Sequence, residues 1–371
     1  MKKLLAGSAA ILALGVSASW GADEGAKPTV LQLAAWEPVQ LAPASWNVYG
    51  LRLDIFYGKN LNVAGLDAGL GLNSAGNTYG VAVGGANLNE GNVYGIQAAG
   101  MNFNDKDDST VAGIQGALAL NYAPDTTVYG VQAAVWNEAR SFMGVQAGAV
   151  NICRPVCGDI YGIQLGGFFN ADLRCSTFAG LQLATVANIA GGADFYGIQG
   201  ALYNQTKDAA GLQLGVINQT KNVYGVELGA LLNRTASVAG IQAGTANCTA
   251  GDVRGIQIGA LFNYDSQLGD IAGIQVASIA NHTPSSNLVG LQSSALWNDA
   301  RDVAGAQIGL INLSDSHKGL QIGLVNLTGK ASGFQIGLIN KAERMTGVQI
   351  GLLNVISSSD LMVLPILNVQ F

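Results

Sequence analysis

The sequence predicts an all-β fold, and three observations lead to that prediction. Glycine makes up 51 of the 371 residues, 49% of residues are hydrophobic and only 11% are charged. A short motif recurs twenty times between residue 50 and the C-terminus. Within that motif apolar and polar residues alternate with a period of two, which is the pattern of a β-strand with two different faces.

The N-terminus has the layout of a secretory signal peptide. Two lysines follow Met1, and an apolar stretch then runs to Val16 before small residues begin. That stretch is shorter than the ~20 apolar residues that a membrane-spanning helix needs. We therefore expect a signal peptide over residues 1–22 with cleavage near residues 18–22, an N-terminal segment over residues 23–47 that can supply a first strand, and one β-repeat domain over residues 48–371 that ends in a closing strand.

The repeat can be written G-[ILV]-Q-x-small-x-x-(x)-N, and its leading glycines lie 14 to 18 residues apart. Two places after the glycine the residue is glutamine in sixteen of the twenty units. In the unit that begins at Gly319, leucine and isoleucine share one face of the strand, and Gln321 shares the other face with glycine. The leading glycines are Gly50, Gly65, Gly80, Gly95, Gly113, Gly130, Gly144, Gly162, Gly180, Gly197, Gly211, Gly225, Gly240, Gly255, Gly273, Gly290, Gly305, Gly319, Gly333 and Gly347.

Strand length and short links together favour a membrane barrel. Each strand spans about 10 residues, which suits a tilted strand that crosses a bilayer. The links are short, so successive strands are expected to run antiparallel, and aromatic residues at both strand ends are typical of membrane-interface girdles. We predict an antiparallel up-and-down transmembrane β-barrel of about 20–22 short strands, closed so that no edge is left. The aromatic residues expected at the interface are Tyr94, Tyr129, Tyr161, Tyr196, Tyr224 and Trp297.

The alternative fold is a β-solenoid in which each unit of 14 to 18 residues forms one coil. Parallel stacking explains why every unit reads the same from its start. In this fold we expect leucine and isoleucine to fill the core, with glutamine and asparagine stacked in external ladders. The links carry no second apolar strand, which disfavours the solenoid. They also lack the alternation of short turns and long loops that is usual in barrels, so both folds stay open.

A few charged residues fall on the glutamine face of the strands. If that face lines a barrel lumen, these residues are its fixed charges among rows of glutamine, and the lumen is weakly selective. The alternative is that the charges pair with neighbouring groups. The candidate lumen charges are Arg52, Asp54, Asp67 and Glu227, and the candidate polar row is Gln97, Gln115, Gln132, Gln164, Gln257 and Gln321.

Residues that carry catalytic or metal chemistry are scarce. Cys153 and Cys157 flank a short loop and can form a local disulfide, and no histidine stands near them to complete a zinc site. His282 and His317 both fall in links, where we expect them to be solvated. With 18 basic against 24 acidic residues and a pI near 4.9, nucleic-acid binding is not expected. We expect no enzymatic activity, no cofactor and no metal.

The units over residues 319–326 and 347–354 resemble those of a loosely defined group of bacterial exported surface-repeat proteins with tandem G-[LV]-Q-[LI]-G-L-[IV]-N units. The resemblance covers about residues 48–371, and it implies an outer-membrane or cell-surface location without an activity. The terminal Phe371 is similar to the assembly signal of bacterial outer-membrane barrels. This similarity implies membrane lipid and the barrel-assembly machinery as partners, with no ligand indicated. The expected function is an integral outer-membrane barrel serving as a surface structural protein or weakly selective passive pore, and the alternative is a secreted β-solenoid for surface adhesion.

Overall fold

The computed structural model describes residues 26–153, 158–172, 175–265 and 269–370. It is all-β, with about 85% of residues in strands, so the predicted fold class is confirmed at this level. Within the described ranges, no helix is long and apolar enough to span a membrane. The expected signal peptide and Phe371 lie outside the described residues.

The described strands join into one continuous sheet that winds around a single axis. In chain order they are β1 (Pro28–Trp36), β2 (Val39–Gln40), β3 (Asn47–Asp54), β4 (Tyr57–Gly69), β5 (Leu72–Asn89), β6 (Val93–Asn104), β7 (Thr110–Ala133), β8 (Trp136–Cys153), β9 (Ile160–Asp172), β10 (Thr177–Ala184), β11 (Ala187–Thr249), β12 (Val253–Asp265), β13 (Asp270–Ala277), β14 (Ala280–Ser294), β15 (Trp297–Ile308), β16 (Ile311–Ile322), β17 (Val325–Ile336), β18 (Ile339–Ile356) and β19 (Val363–Gln370).

Successive repeat units stack as the coils of a β-solenoid of about 21 turns. Each unit pairs with the next in parallel and in register, as Gly319 does with Gly333 across β16 and β17. The predicted antiparallel barrel is therefore wrong, and the alternative solenoid is confirmed. Short links do not force antiparallel pairing here, because each link carries the chain only around one coil, after which the next unit begins beside the last.

Each turn consists of two short strand segments joined by corners. In the turn of Gly319, residues 317–322 form the segment that carries the glutamine, and a bend at residues 323–324 leads to the segment at residues 325–328 that carries the asparagine. We call these the glutamine segment and the asparagine segment. The links that the barrel prediction placed between strands therefore belong to the coil itself, as corners and as parts of the asparagine segment.

The faces of the solenoid are opposite to those expected for this alternative. Gln321 is 0% exposed, whereas Ile322 beside it is 37% exposed. Both segments of a turn place polar residues at their inward positions, so the narrow interior fills with amides, and leucine and isoleucine point outward. The apolar part of the interior is confined mainly to the position two places before the leading glycine, with Val93, Phe142 and Leu288 as examples.

Both ends of the coil depart from the repeat. At the N-terminal end, β1 pairs in parallel with β3 and antiparallel with the two-residue β2. At the C-terminal end, β19 pairs antiparallel with β18. The predicted closing strand therefore lies against the last turn, where it covers a sheet edge that would otherwise be free to pair with another chain.

The leading glycines hold a backbone conformation that other residues rarely adopt. All twenty have φ between +126° and +150°, and from Gly65 onward each lies against the leading glycine of the preceding turn. A β-carbon built on Gly113 would overlap the backbone of Gly95. Glycine recurs at this place because the coil needs both the positive φ and the close approach.

We expect Gly113→Ala to lower the free energy of unfolding by more than about 2 kcal/mol, because it combines a strained φ with backbone overlap. Gly116→Ala is the matched control in the same turn, since its β-carbon would meet nothing closer than 3.9 Å. Chemical denaturation followed by circular dichroism measures both variants. Equal stability of the two variants would contradict the stacked-glycine geometry.

Candidate functional site

An unbroken ladder of asparagines runs through the interior. Each side-chain Nδ2 donates a hydrogen bond to the Oδ1 of the asparagine in the following turn, at 2.8–3.1 Å, from Asn73 to Asn354. Most of these Nδ2 groups also donate to a backbone carbonyl, as Asn298 does to Ile308 at 2.8 Å. The ladder satisfies buried amides that would be costly to leave unpaired.

A second ladder of glutamines runs beside the first, with its donors pointing the other way. Gln335 Nε2 donates to Gln321 Oε1 of the preceding turn at 2.7 Å, and the same bond recurs along the coil. Hydroxyl groups of the asparagine segments link the ladders, because Gln335 Nε2 also contacts Thr328 Oγ1 at 3.2 Å. The six glutamines expected to line a lumen are all fully buried in this ladder. A hydrogen-bonded core takes the place of a lumen.

The N-terminal charges pair with one another. Arg52 is fully buried, and its Nε and Nη2 atoms donate to the two carboxylate oxygens of Asp67 at 2.7 and 2.5 Å. Its Nε also lies 3.2 Å from Asp54 Oδ2, and its Nη1 donates to the carbonyl of Ser74 at 2.6 Å. Burial raises the pKa of Asp54 to about 6, although Arg52 opposes this shift. The cluster occupies the place of the glutamine ladder in the first turns.

Glu227 replaces a glutamine in the middle of the ladder. Its Oε2 accepts from Gln242 Nε2 at 2.7 Å and from Thr235 Oγ1 at 2.9 Å. Burial raises the pKa of Glu227 to about 7, against the effect of these hydrogen bonds. A protonated Glu227 matches the ladder better than the carboxylate does, since only the protonated acid has a hydrogen to donate.

Two further buried aspartates were missed at the level of sequence. Asp172 and Asp265 each stand two places after a ladder asparagine, and they accept hydrogen bonds from Gln182 at 2.6 Å and from Gln275 at 2.9 Å. Burial raises the pKa of each of these aspartates to about 7. The alternation of the asparagine segment was the available signal, because other turns place threonine or serine at the same inward position.

The disulfide differs from the predicted one. Cys153 and Cys175 are both disulfide-bonded, and Cys248 is a free thiol. They bond each other, since the expected pair of Cys153 with Cys157 would leave Cys175 without a partner; Cys157 itself lies outside the described residues. The two sulfurs and a carboxylate oxygen of Asp172 lie within 4.8 Å of one another. The disulfide occupies both sulfurs, so this group does not offer a thiolate metal site.

The two histidines lie in different environments, one buried and one at the surface. His317 was expected to be solvated, but it is only 2% exposed because it takes the inward position two places before Gly319. Burial lowers the pKa of His317 to about 4. His282 does lie at the surface, where its Nδ1 is 3.1 Å from Asp299 Oδ2 and its ring stacks on Tyr264.

The outer side of the glutamine segments is a long apolar surface. We call this surface the apolar face. It has three columns that run along the coil: the first contains the residues one place before each leading glycine, the second those one place after it, and the third those three places after it. Second- and third-column residues such as Ile96 and Ile258 are 42% and 45% exposed. At the N-terminal end, β1 and β2 border a groove of about 920 Å³ that continues this surface.

The aromatic residues expected at a membrane interface lie at the borders of the apolar face. The first column contains the tyrosines, and Tyr196 and Tyr224 are 51% and 56% exposed. Trp297 is 38% exposed at the opposite border, next to the bend that leads to Asn298. The seven tyrosines of the first column are Tyr49, Tyr79, Tyr94, Tyr129, Tyr161, Tyr196 and Tyr224.

Comparison of the chain with protein-family models, with curated proteins and with solved structures finds no match. The fold and the chemistry of the site are therefore the basis for a functional proposal.

We expect the stability of the solenoid to fall as pH rises from about 4.5 to about 7. In the unfolded chain Glu227 loses its proton near its ordinary pKa of 4.5, whereas in the folded chain it does so at about 7. Its stabilising contribution is thus complete below pH 4.5 and is lost as pH rises through 7, by on the order of 3 kcal/mol. Asp54, Asp172 and Asp265 act in the same direction. His317 acts in the opposite direction, because burial lowers its pKa from 6.5 to about 4, but the four acids together outweigh this one group.

Glu227→Gln restores an amide to the ladder, so we expect it to raise stability at pH 8 and to leave it nearly unchanged at pH 4. Glu343→Gln is the control, because Glu343 is exposed. Urea unfolding at both pH values measures the effect. A variant that is no more stable than the wild type at pH 8 would mean that Glu227 is not held in the ladder.

The disulfide assignment is checked by peptide mapping of the unreduced chain by mass spectrometry. We expect a cross-linked peptide pair that joins Cys153 to Cys175. Closing a loop of that size stabilises a chain by about 3 kcal/mol, so reduction should also lower the unfolding midpoint. Recovery of Cys153 joined to Cys157 would show that the assignment is wrong.

Proposed function

We propose that this chain is an exported structural protein, a stiff β-solenoid that works at the cell surface as an adhesive or coat component and has no catalytic role. The observation that carries the proposal is the asparagine ladder, which continues without a break from Asn73 to Asn354. Such a ladder ties each turn to the next through buried hydrogen bonds. The chain is thus suited to hold a fixed length and to display a repetitive surface.

The distribution of chemistry supports a structural role. The buried aspartates and Glu227 are engaged with amides, hydroxyls or Arg52 and lie away from solvent. Most surface charges sit on the corners and the asparagine segments, as with the Lys207–Asp194 pair at 2.8 Å. The apolar face is exposed along the length of the coil, and large apolar patches mark sites of association.

The covered C-terminal edge also supports this role. Because β19 runs antiparallel to β18, the last turn does not present the same edge as the turns before it. A solenoid with a covered end keeps a defined length, since it does not continue to add chains by strand pairing. The chain is therefore suited to act as a surface component of fixed length.

Fractionation of cells that produce the chain tests the proposal. We expect carbonate to release the chain from membranes, purified chain to stay dispersed without detergent, and electron microscopy to show elongated particles roughly 100 Å long, at ~4.8 Å per turn. Protease added to intact cells should digest the chain. Full retention in carbonate-washed membranes, or protection from protease in intact cells, would contradict the proposed surface role.

A further inference from the structure

The apolar face is larger than a lone soluble chain normally leaves bare. Twenty turns at ~4.8 Å and five residues at ~3.3 Å give a surface of roughly 1,600 Å². Monomeric proteins rarely expose contiguous apolar patches beyond about 600 Å². A stable protein–protein interface needs about 800 Å² from each partner, so the face offers enough area for one.

Charge is almost absent from the face. Of the three columns of twenty positions, only Arg254 and Lys318 are charged, and both stand in the first column. The side chains of each column line up because the turns stack in register. An uncharged apolar sheet surface is the kind that packs against a second sheet at a distance of roughly 10 Å.

The third column is uneven along the coil. In turns two to seven it carries mostly small residues, including Ala98, Gly116 and Ala133. In the last four turns it carries isoleucine throughout, from Ile308 to Ile350. A partner that complements this column must therefore be bulky where this chain is small and small where this chain is bulky.

The first column is also uneven, but in the opposite direction. All seven of its tyrosines lie in the first twelve turns, and from Tyr94 to Tyr224 they alternate with alanine or methionine. From Ala239 onward the column contains no tyrosine. The N-terminal part of the face is thus bulky in the first column, and the C-terminal part is not.

We propose that the apolar face binds the same face of a second copy of the chain, with the two solenoid axes antiparallel. The two-fold axis runs along the strand direction, between the tenth turn, at Gly197, and the eleventh, at Gly211. Each column then lies opposite itself, and turn n of one copy lies opposite turn 21 − n of the other. The pairing rests on the proposed role of the chain as a stiff surface component.

This register matches a bulky residue with a small one in six of the ten pairs of third-column positions. In the third column, Ile336 faces Ala68, Ile308 faces Ala98 and Leu214 faces Gly200. In the first column no tyrosine faces a tyrosine: five face alanine, Tyr49 faces Thr346 and Tyr79 faces Lys318. The last pair adds a cation–π contact.

Shifting the register by one turn in either direction brings tyrosines of the first column face to face. One shift places Tyr196 opposite Tyr224, and the other places Tyr161 opposite Tyr224. Two tyrosines facing each other would exceed the roughly 10 Å spacing of packed sheets. A lipid surface has no such register, so it would give no reason for the two ends of the face to differ in side-chain size. This is why a second copy is favoured over lipid.

Two tyrosine substitutions test the pairing, with mass measured by light scattering on the mature chain without detergent. The wild type should be a dimer. Ala210→Tyr would face Tyr196 and should weaken dimerisation by about tenfold or more. Ala64→Tyr is the matched control, because it also stands between two tyrosines of its own column but would face Ser332. Tyr79 and Tyr94 stack at 5.3 Å within one chain, so neighbouring tyrosines are compatible with folding.

Restoring the size match should restore the dimer, so we expect Tyr196→Ala combined with Ala210→Tyr to associate like the wild type. The direction of pairing is tested with Tyr49→Cys and Thr346→Cys in a background where Cys157 and Cys248 are serine. These positions lie nineteen turns apart in one chain, roughly 90 Å. A short bis-maleimide should therefore link two chains of the double variant and should not link chains that carry Tyr49→Cys alone.

A wild-type chain that is monomeric at micromolar concentration would overturn the proposal, as would equal dimerisation of the Ala210→Tyr and Ala64→Tyr variants. Monomers that float with phosphatidylcholine vesicles would assign the face to lipid. None of these results would refute the surface role itself, which fails only in the fractionation and protease experiments.

Discussion

The hydrogen bond between identical amide side chains of successive turns is the interaction on which the rest of the structure depends. It forms only when each turn repeats the previous one in register, as Asn312 and Asn326 do at 2.8 Å. Variation in unit length, from 14 to 18 residues, is therefore absorbed away from the ladder positions. The same requirement explains the leading glycines, because neighbouring turns approach closely at that point and the backbone takes a positive φ.

The amide core also determines what the outside looks like. Since glutamine and asparagine fill the interior, the apolar residues at alternate positions have no place there and form an exposed face. The two ladders orient their amide dipoles in opposite directions, because glutamine donates to the preceding turn and asparagine to the following one. Side by side, these opposed dipoles offset each other, so lengthening the coil does not accumulate a large dipole as a long helix does. The same alternation of polar and apolar residues therefore stabilises the interior and leaves an apolar surface available for association.

Alternation alone was enough to predict strands, and it assigned Leu320 and Gln321 correctly to opposite faces. It did not say which face is inward, because a period of two is symmetric with respect to the inside and the outside. Link length did not separate antiparallel hairpins from parallel coils, since four to eight residues suffice for either. The buried Asp172 and the bonded Cys175 depend on contacts between turns, and contacts of that kind are not visible in one unit of sequence. Arg52, Asp54, Asp67 and Glu227 were identified on the correct face, but their partners were set by the stacking register.

Distances between spin labels on the asparagine segments test the parallel stacking most directly. Labels at Tyr122→Cys and Gln219→Cys are six turns apart, and labels at Tyr122→Cys and Lys341→Cys are fourteen turns apart. Both pairs are prepared with Cys157 and Cys248 replaced by serine and diluted with unlabelled chain. The solenoid predicts separations of roughly 29 and roughly 67 Å, at ~4.8 Å per turn. In a closed ring of twenty strands both pairs are six strands apart around the ring, so equal distances would contradict the account.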